Sequence, residues 1–128
     1  MSQERSVRAD FVPDHYQFTT PSGDAYAYTP TTGPYEYLLG ALSGCLFMTF
    51  KDIAKEMHVG WEHMSFQTHG VKRDEIPTWL KSVDIHVTVT GASDAQLFTK
   101  AFEKATHNCS IYNTIAKVAT MEWTVEFA

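Results

Sequence analysis

Between Pro34 and Ala54 the apolar residues recur at a spacing that only a helix can gather on one side. Leu38, Leu39, Leu42, Cys45, Leu46, Thr49, Ile53 and, just beyond, Met57 fall on one arc at ~100° per residue. Phe47 and Met48 occupy the far side, so the pattern predicts a central, buried helix rather than a surface one. Pro34 suits the first helical position, where a missing N–H is harmless, and Gly33 serves as N-cap. Glu36 at the start and Lys51, Lys55 and His58 towards the end agree with the helix dipole, and Gly60 supplies a stop. Gly40, Ala41, Ser43 and Gly44 are small enough to admit another backbone closely.

The rest of the chain reads as strands before this helix and strands and helices after it. Val7, Ala9 and Phe11 alternate with Arg8 and Asp10, and Tyr16 and Phe18 with His15, Gln17 and Thr19, giving a hairpin across Pro13-Asp14. Pro21 to Asp24 turns into a short third strand, Ala25 to Tyr28. Beyond Gly60, Trp61 to Val71 reads as a strand without a clean period, and Leu80, Val83, Ile85, Val87 and Val89 form a firm period-two strand ending at Gly91. Ser93 and Gln96 make a capping box for a helix whose face is Leu97, Phe98, Ala101, Phe102 and Ala105. A break at His107-Asn108 precedes a short helix opening at Cys109, with Asn108 as its N-cap. Met121, Trp123, Val125 and Phe127 alternate with polar residues to close the chain as a strand. This order predicts an α+β fold, helices packed on mainly antiparallel sheets, in one domain spanning 1–128.

Composition excludes several partners. A net charge of −5 with no basic run argues against a nucleic-acid face. The apolar run around Cys45 is interrupted by Glu36, Ser43, Lys51 and Asp52, short of the ~20 residues of a membrane span. The opening residues lack the apolar core of a signal peptide, which predicts a cytoplasmic protein. In that compartment two cysteines distant in sequence read as a redox pair, a metal pair or two core residues.

Cys45 taken alone is a small core hydrophobe. Its context says more. Pro34-x-Glu36-x-Leu38-Leu39-x-Ala41-Leu42-x-x-Cys45-x-x-Met48-Thr49 resembles the peroxidatic helix of the OsmC/Ohr family of thiol peroxidases, whose motif runs roughly Pro-Glu-Glu-Leu-Leu-x-Ala-x-x-x-Cys. The order of elements is also similar to that family's fold, which implies an intertwined homodimer with the long helices at its centre. Cys109 stands where the family carries its second cysteine, and the N–H groups and dipole of a helix start favour a thiolate there.

The resemblance implies a peroxidatic Cys45 and a resolving Cys109. The Cys45 thiolate would attack a hydroperoxide O–O bond, giving a sulfenic acid that condenses with Cys109 to a disulfide. An external dithiol or lipoyl-type reductant would reopen it, with no cofactor or metal. The family also pairs an arginine with a glutamate at this site. Here Tyr35 replaces the first glutamate of the motif and Glu36 keeps the second, while no arginine lies between Arg8 and Arg73; Arg8, or Arg5, is the candidate to reach the site from the first strand.

Two other readings stay open on the residues. His107, Cys109 and Cys45 offer three metal ligands without the short paired spacings of zinc sites, and His63, His69 and His86 alternate on strand faces as surface residues do. Alternatively, the chain is a non-catalytic or merely redox-sensitive dimer of the same fold. Tyr16, Phe18, Tyr26, Tyr28, Tyr35 and Tyr37 would then line a pocket for a small apolar ligand.

Overall fold

In the computed structural model, which describes residues 3–128, the order of elements is three strands, a long helix, two strands, two helices and a strand. These are β1 (Arg8–Val12), β2 (His15–Thr19), β3 (Ala25–Tyr28), α1 (Pro34–Glu56), β4 (His63–Lys72), β5 (Leu80–Thr90), α2 (Ala95–Asn108), α3 (Ser110–Ala116) and β6 (Thr120–Phe127). The fold is α+β, in two small sheets and three helices. The chain divides into two compact units, one up to Leu38 and one from Leu39 to Ala128, with α1 running across the division.

The first unit is an antiparallel meander, β1-β2-β3, paired Phe11 to Tyr16 and Phe18 to Tyr26. Its aromatic side chains pack on one another. Phe18 stacks on Tyr26 at 5.2 Å and meets Tyr37 edge-on at 5.3 Å, and the Tyr37 hydroxyl donates to the Ala27 carbonyl at 2.6 Å. At the start of α1 the Gly33 carbonyl takes the first helical bond from Tyr37, and the Glu36 carboxylate accepts from the Gly33 N–H at 2.7 Å. Glu36 thus closes half a capping box on its own helix.

The second unit is built on the sheet β4-β5-β6. β4 pairs antiparallel with β5, whereas β6 runs parallel to β5, so α2 and α3 form the crossover between two parallel strands. One face of the sheet is the core: Val83, Ile85, Val87 and Val89 are buried, with Phe66 beside Val87 and Trp123 beside Ile85 in register. Over it lies an aromatic cluster. Phe50 of α1 touches Phe98 (4.7 Å) and Phe102 (5.8 Å) of α2, and Phe102 also meets Phe66 and Trp123. Full burial of each such side chain contributes about 1.5–3 kcal/mol.

Leu42, Leu46, Phe50, Ile53 and Ala54 form the buried face of α1, and Leu39 lies against Gly70 of β4. Two hydroxyls fix it there. Ser43 donates to the Leu39 carbonyl one turn back and shares a 2.7 Å hydrogen bond with Thr68 of β4. The other side of the helix is more open than its apolar sequence predicts: Met48 is 63% exposed, and nothing lies within 4 Å of a Cβ built on Gly40 or Gly44. At 23 residues, α1 is also the one helix among the described residues long and apolar enough to cross a membrane, a test that core helices of folded proteins pass as well.

Away from the cysteines, two helix ends differ from the sequence expectation. α1 stops not at Gly60 but at His58, which takes a left-handed conformation (φ 57°). The Val59 N–H then bonds back to the Ala54 carbonyl and the His58 N–H to that of Lys55, a Schellman closure. α2 is capped by Asp94, whose carboxylate accepts from the Leu97 N–H at 3.1 Å. Ser93, the expected cap, instead accepts from the Gly60 N–H at 2.8 Å, tying the two ends of the β4-β5 hairpin segment together.

Candidate active site

Cys45 lies midway along α1, half-buried, with the Thr49 hydroxyl bonded to its carbonyl one turn on. Cys109 is completely buried at the corner between α2 and α3. Sixty-four residues apart in sequence, the two sulfurs stand 3.2 Å apart as free thiols, the Cys109 Sγ–H pointing to Cys45 Sγ.

Cys109 is not the first residue of a helix capped by Asn108. α2 runs through Asn108, and Cys109 itself ends one helix and caps the next: its N–H donates to the Ala105 carbonyl at 2.8 Å while its Sγ accepts from the Tyr112 N–H at 3.4 Å. The expected thiolate does not form there either. Burial pushes the Cys109 thiol up from 9.0 to about 11; the Tyr112 N–H opposes this, but hydrogen bonding to Cys45 and its charge add to it. Water is excluded from the sulfur on all sides, and one helix N–H does not replace it. The Tyr112 phenol is likewise raised, by its own burial first and then by the charge of Cys109. Cys109 is the hydrogen-bond donor of the pair and Cys45 the acceptor.

The remaining sequence candidates are held by local partners. Glu36 caps its own helix at Gly33. Arg8 is exposed on β1 with its guanidinium 3.2 Å from the Asp10 carboxylate, and Arg5 donates to the Glu4 carbonyl. The Arg73 guanidinium lies over the Trp79 ring, 3.0 Å from its centroid, and donates to the Pro77 carbonyl. Leu42 and Leu46, which the sequence places around Cys45, are core residues; the accessible apolar neighbours one turn away on α1 are Ala41 and Met48. Among the described residues no group of three or more His, Cys, Asp or Glu is placed to hold a metal ion. His86 instead bonds Thr124 through Nδ1 at 2.8 Å and faces Glu126 at 3.4 Å through Nε2. What sequence reasoning missed is Asn113, whose side chain holds the Cys109 corner; its position four residues after a cysteine at a helix start was the available signal.

Fold and site together define a two-cysteine α+β protein whose thiols meet between a central helix and a helix–helix corner. The chain belongs to the OsmC-like protein family, which matches it over residues 26–124. Solved structures agree on the fold. An OsmC-like protein from Mycoplasma pneumoniae superposes with a TM-score of 0.88 at 15% identity, covering 100% of this chain and 99% of that one. An organic hydroperoxide resistance protein OsmC from Legionella pneumophila gives 0.76 at 15% identity, covering 97% of each. The organic hydroperoxide resistance protein OhrB of Bacillus subtilis gives 0.74 at 12% identity, covering 97% and 98%. No curated protein matches at a significant level.

Proposed function

We propose that this protein is a thiol-dependent peroxidase that reduces organic hydroperoxides through Cys45 and Cys109. The observation that carries the reading is the 3.2 Å contact between a half-buried sulfur and a fully buried one that donates to it. A thiol that donates a hydrogen bond to its neighbour stabilises negative charge on that neighbour, which suits Cys45 as nucleophile and Cys109 as reserve. The Cys45 thiolate attacks the distal oxygen of ROOH; the O–O bond breaks, the alkoxide leaves and takes a proton as ROH, and Cys45 becomes a sulfenic acid. Cys109 then attacks that sulfur, and its proton leaves with the hydroxyl as water. An external dithiol or lipoyl-type donor returns both cysteines to thiols by exchange.

In this reading Arg8 and Glu36 are auxiliary groups for charge on the cleaving oxygens, a role that would require Arg8 to leave Asp10. Such a donor is worth about 100 to 1,000-fold in rate where it is in place. A preference for alkyl over hydrogen peroxide follows from apolar surface beside Cys45, at ~0.8 kcal/mol per methylene buried. The reading also takes residues 1–128 as one cytoplasmic domain working as a homodimer. Exposed Met48, Phe11 and Val12 and the open space at Gly40 and Gly44 support that assembly. The test is turnover of an alkyl hydroperoxide with a dithiol: Cys45→Ser abolishes it, and Cys109→Ser consumes a single equivalent. Equal, slow consumption by wild type and Cys45→Ser would remove the enzyme reading and leave the ligand-binding alternative.

A further inference from the structure

We infer that Asn113 is a positioning residue for Cys109, its side-chain amide holding the α2–α3 corner so that the buried sulfur faces Cys45. A helix ends with carbonyls that lack intrahelical partners. At the end of α2 the Ala105 carbonyl takes the Cys109 N–H. The next two, Thr106 and His107, each accept from Asn113 Nδ2 at 3.1 Å. The same nitrogen donates to the Cys109 carbonyl at 2.8 Å. A primary amide has two hydrogens, so one of them is shared between two of these three oxygens. The Asn113 backbone N–H adds a bond to the Cys109 carbonyl at 3.0 Å. One residue of α3 therefore finishes α2 and grips the cysteine peptide from both its backbone and its side chain.

The geometry matters because of what the sulfur must do. A disulfide is ~2.05 Å long, so Cys109 Sγ, now 3.2 Å from Cys45 Sγ, has about 1 Å to travel. Misplacing a reacting group by about 1 Å costs up to ~100-fold in rate. Without the amide, the corner keeps its backbone bonds and the long 3.4 Å bond from the Tyr112 N–H to the sulfur, and the sulfur samples a wider range of positions. This inference rests on Cys45 and Cys109 acting as a pair.

The full-length chain is equilibrated with mixtures of reduced and oxidised dithiothreitol, quenched by alkylation, and the intramolecular disulfide is quantified. Asn113→Ala, and Asn113→Asp, which keeps the shape but turns donors into acceptors, should each disfavour the disulfide about tenfold, a potential about 30 mV more oxidising. Thr114→Ala, which removes a comparable bond from Thr114 to the Ser110 carbonyl within α3, should stay within twofold of wild type. With an alkyl hydroperoxide, Asn113→Ala should form sulfenic acid at Cys45 at the wild-type rate and convert it to disulfide about tenfold more slowly. An Asn113→Ala equilibrium within twofold of wild type overturns the inference, as does an equal shift in Thr114→Ala or the absence of any intramolecular disulfide in wild type. If wild type consumes no peroxide through Cys45, the peroxidase reading falls while the dithiothreitol equilibrium still decides the role of Asn113.

Discussion

Replacing Cys109 by serine should make the protein more resistant to alkali, and the size of the effect follows from its burial. The folded thiol ionises near pH 11 against 9.0 for an exposed one. Between those values the unfolded chain has released its proton while the folded chain keeps it, so stability falls as pH rises. The contribution is fully present below pH 9 and gone once pH passes about 11; at about 1.36 kcal/mol per pH unit it amounts to about 3 kcal/mol. Serine fits the same space and does not titrate in that range. Urea unfolding at pH 8 and pH 11, where the folded thiol is half ionised, with a non-thiol reductant present, should show wild type losing about 2 kcal/mol more than Cys109→Ser. Tyr112, raised in the same direction chiefly by its own burial, remains in both proteins and largely cancels in the difference. Parallel losses in the two proteins would refute the argument that burial dominates the corner.

Alkylation at pH 8 should modify Cys45 alone in the folded protein, with Cys109 about 100-fold slower than in urea-unfolded chain because so little of it is thiolate; mass mapping reads this directly. Phe102→Ala should destabilise by about 3–5 kcal/mol in denaturant unfolding, since that ring is fully buried and touches Phe50, Phe66 and Trp123. His58→Gly should stabilise by about 0.5–1 kcal/mol, the relief of a left-handed residue less the added freedom of the unfolded chain, and a lower unfolding midpoint would contradict the Schellman closure.

The sequence made α1, β5 and the closing strand plain because their apolar spacing is uninterrupted. It blurred β4 for a physical reason: Gly70 occupies a core-facing position, and a Cβ there would stand 3.0 Å from Leu80 and 3.3 Å from Leu39, so the neighbours fill the space that a larger residue would have marked. Alternation is the same in parallel and antiparallel strands, so β6 disclosed its burial but not its direction. The choice of Asp94 over Ser93 as cap depends on the Gly60 N–H, 33 residues away, claiming Ser93. At the site, the helix that carries Cys45 was legible from its motif, and so was the place of Cys109. The protonation of Cys109 was not, because a helix start suggests a thiolate and only three-dimensional burial reverses it.

The hydrogen bond between Ser43 and Thr68 has a consequence for the sulfurs that neither hydroxyl touches. A helix lying on a sheet through leucine and phenylalanine can roll, because greasy contacts have little angular preference. A single short polar bond at the seam does have one, and it adds to the packing that holds the azimuth of the helix. Advancing the helix by one residue would swing every side chain by ~100°, carrying Cys45 off the bearing on which it meets Cys109. The aim of the thiol is thus steadied two residues upstream, by a pair of hydroxyls that take no part in its chemistry.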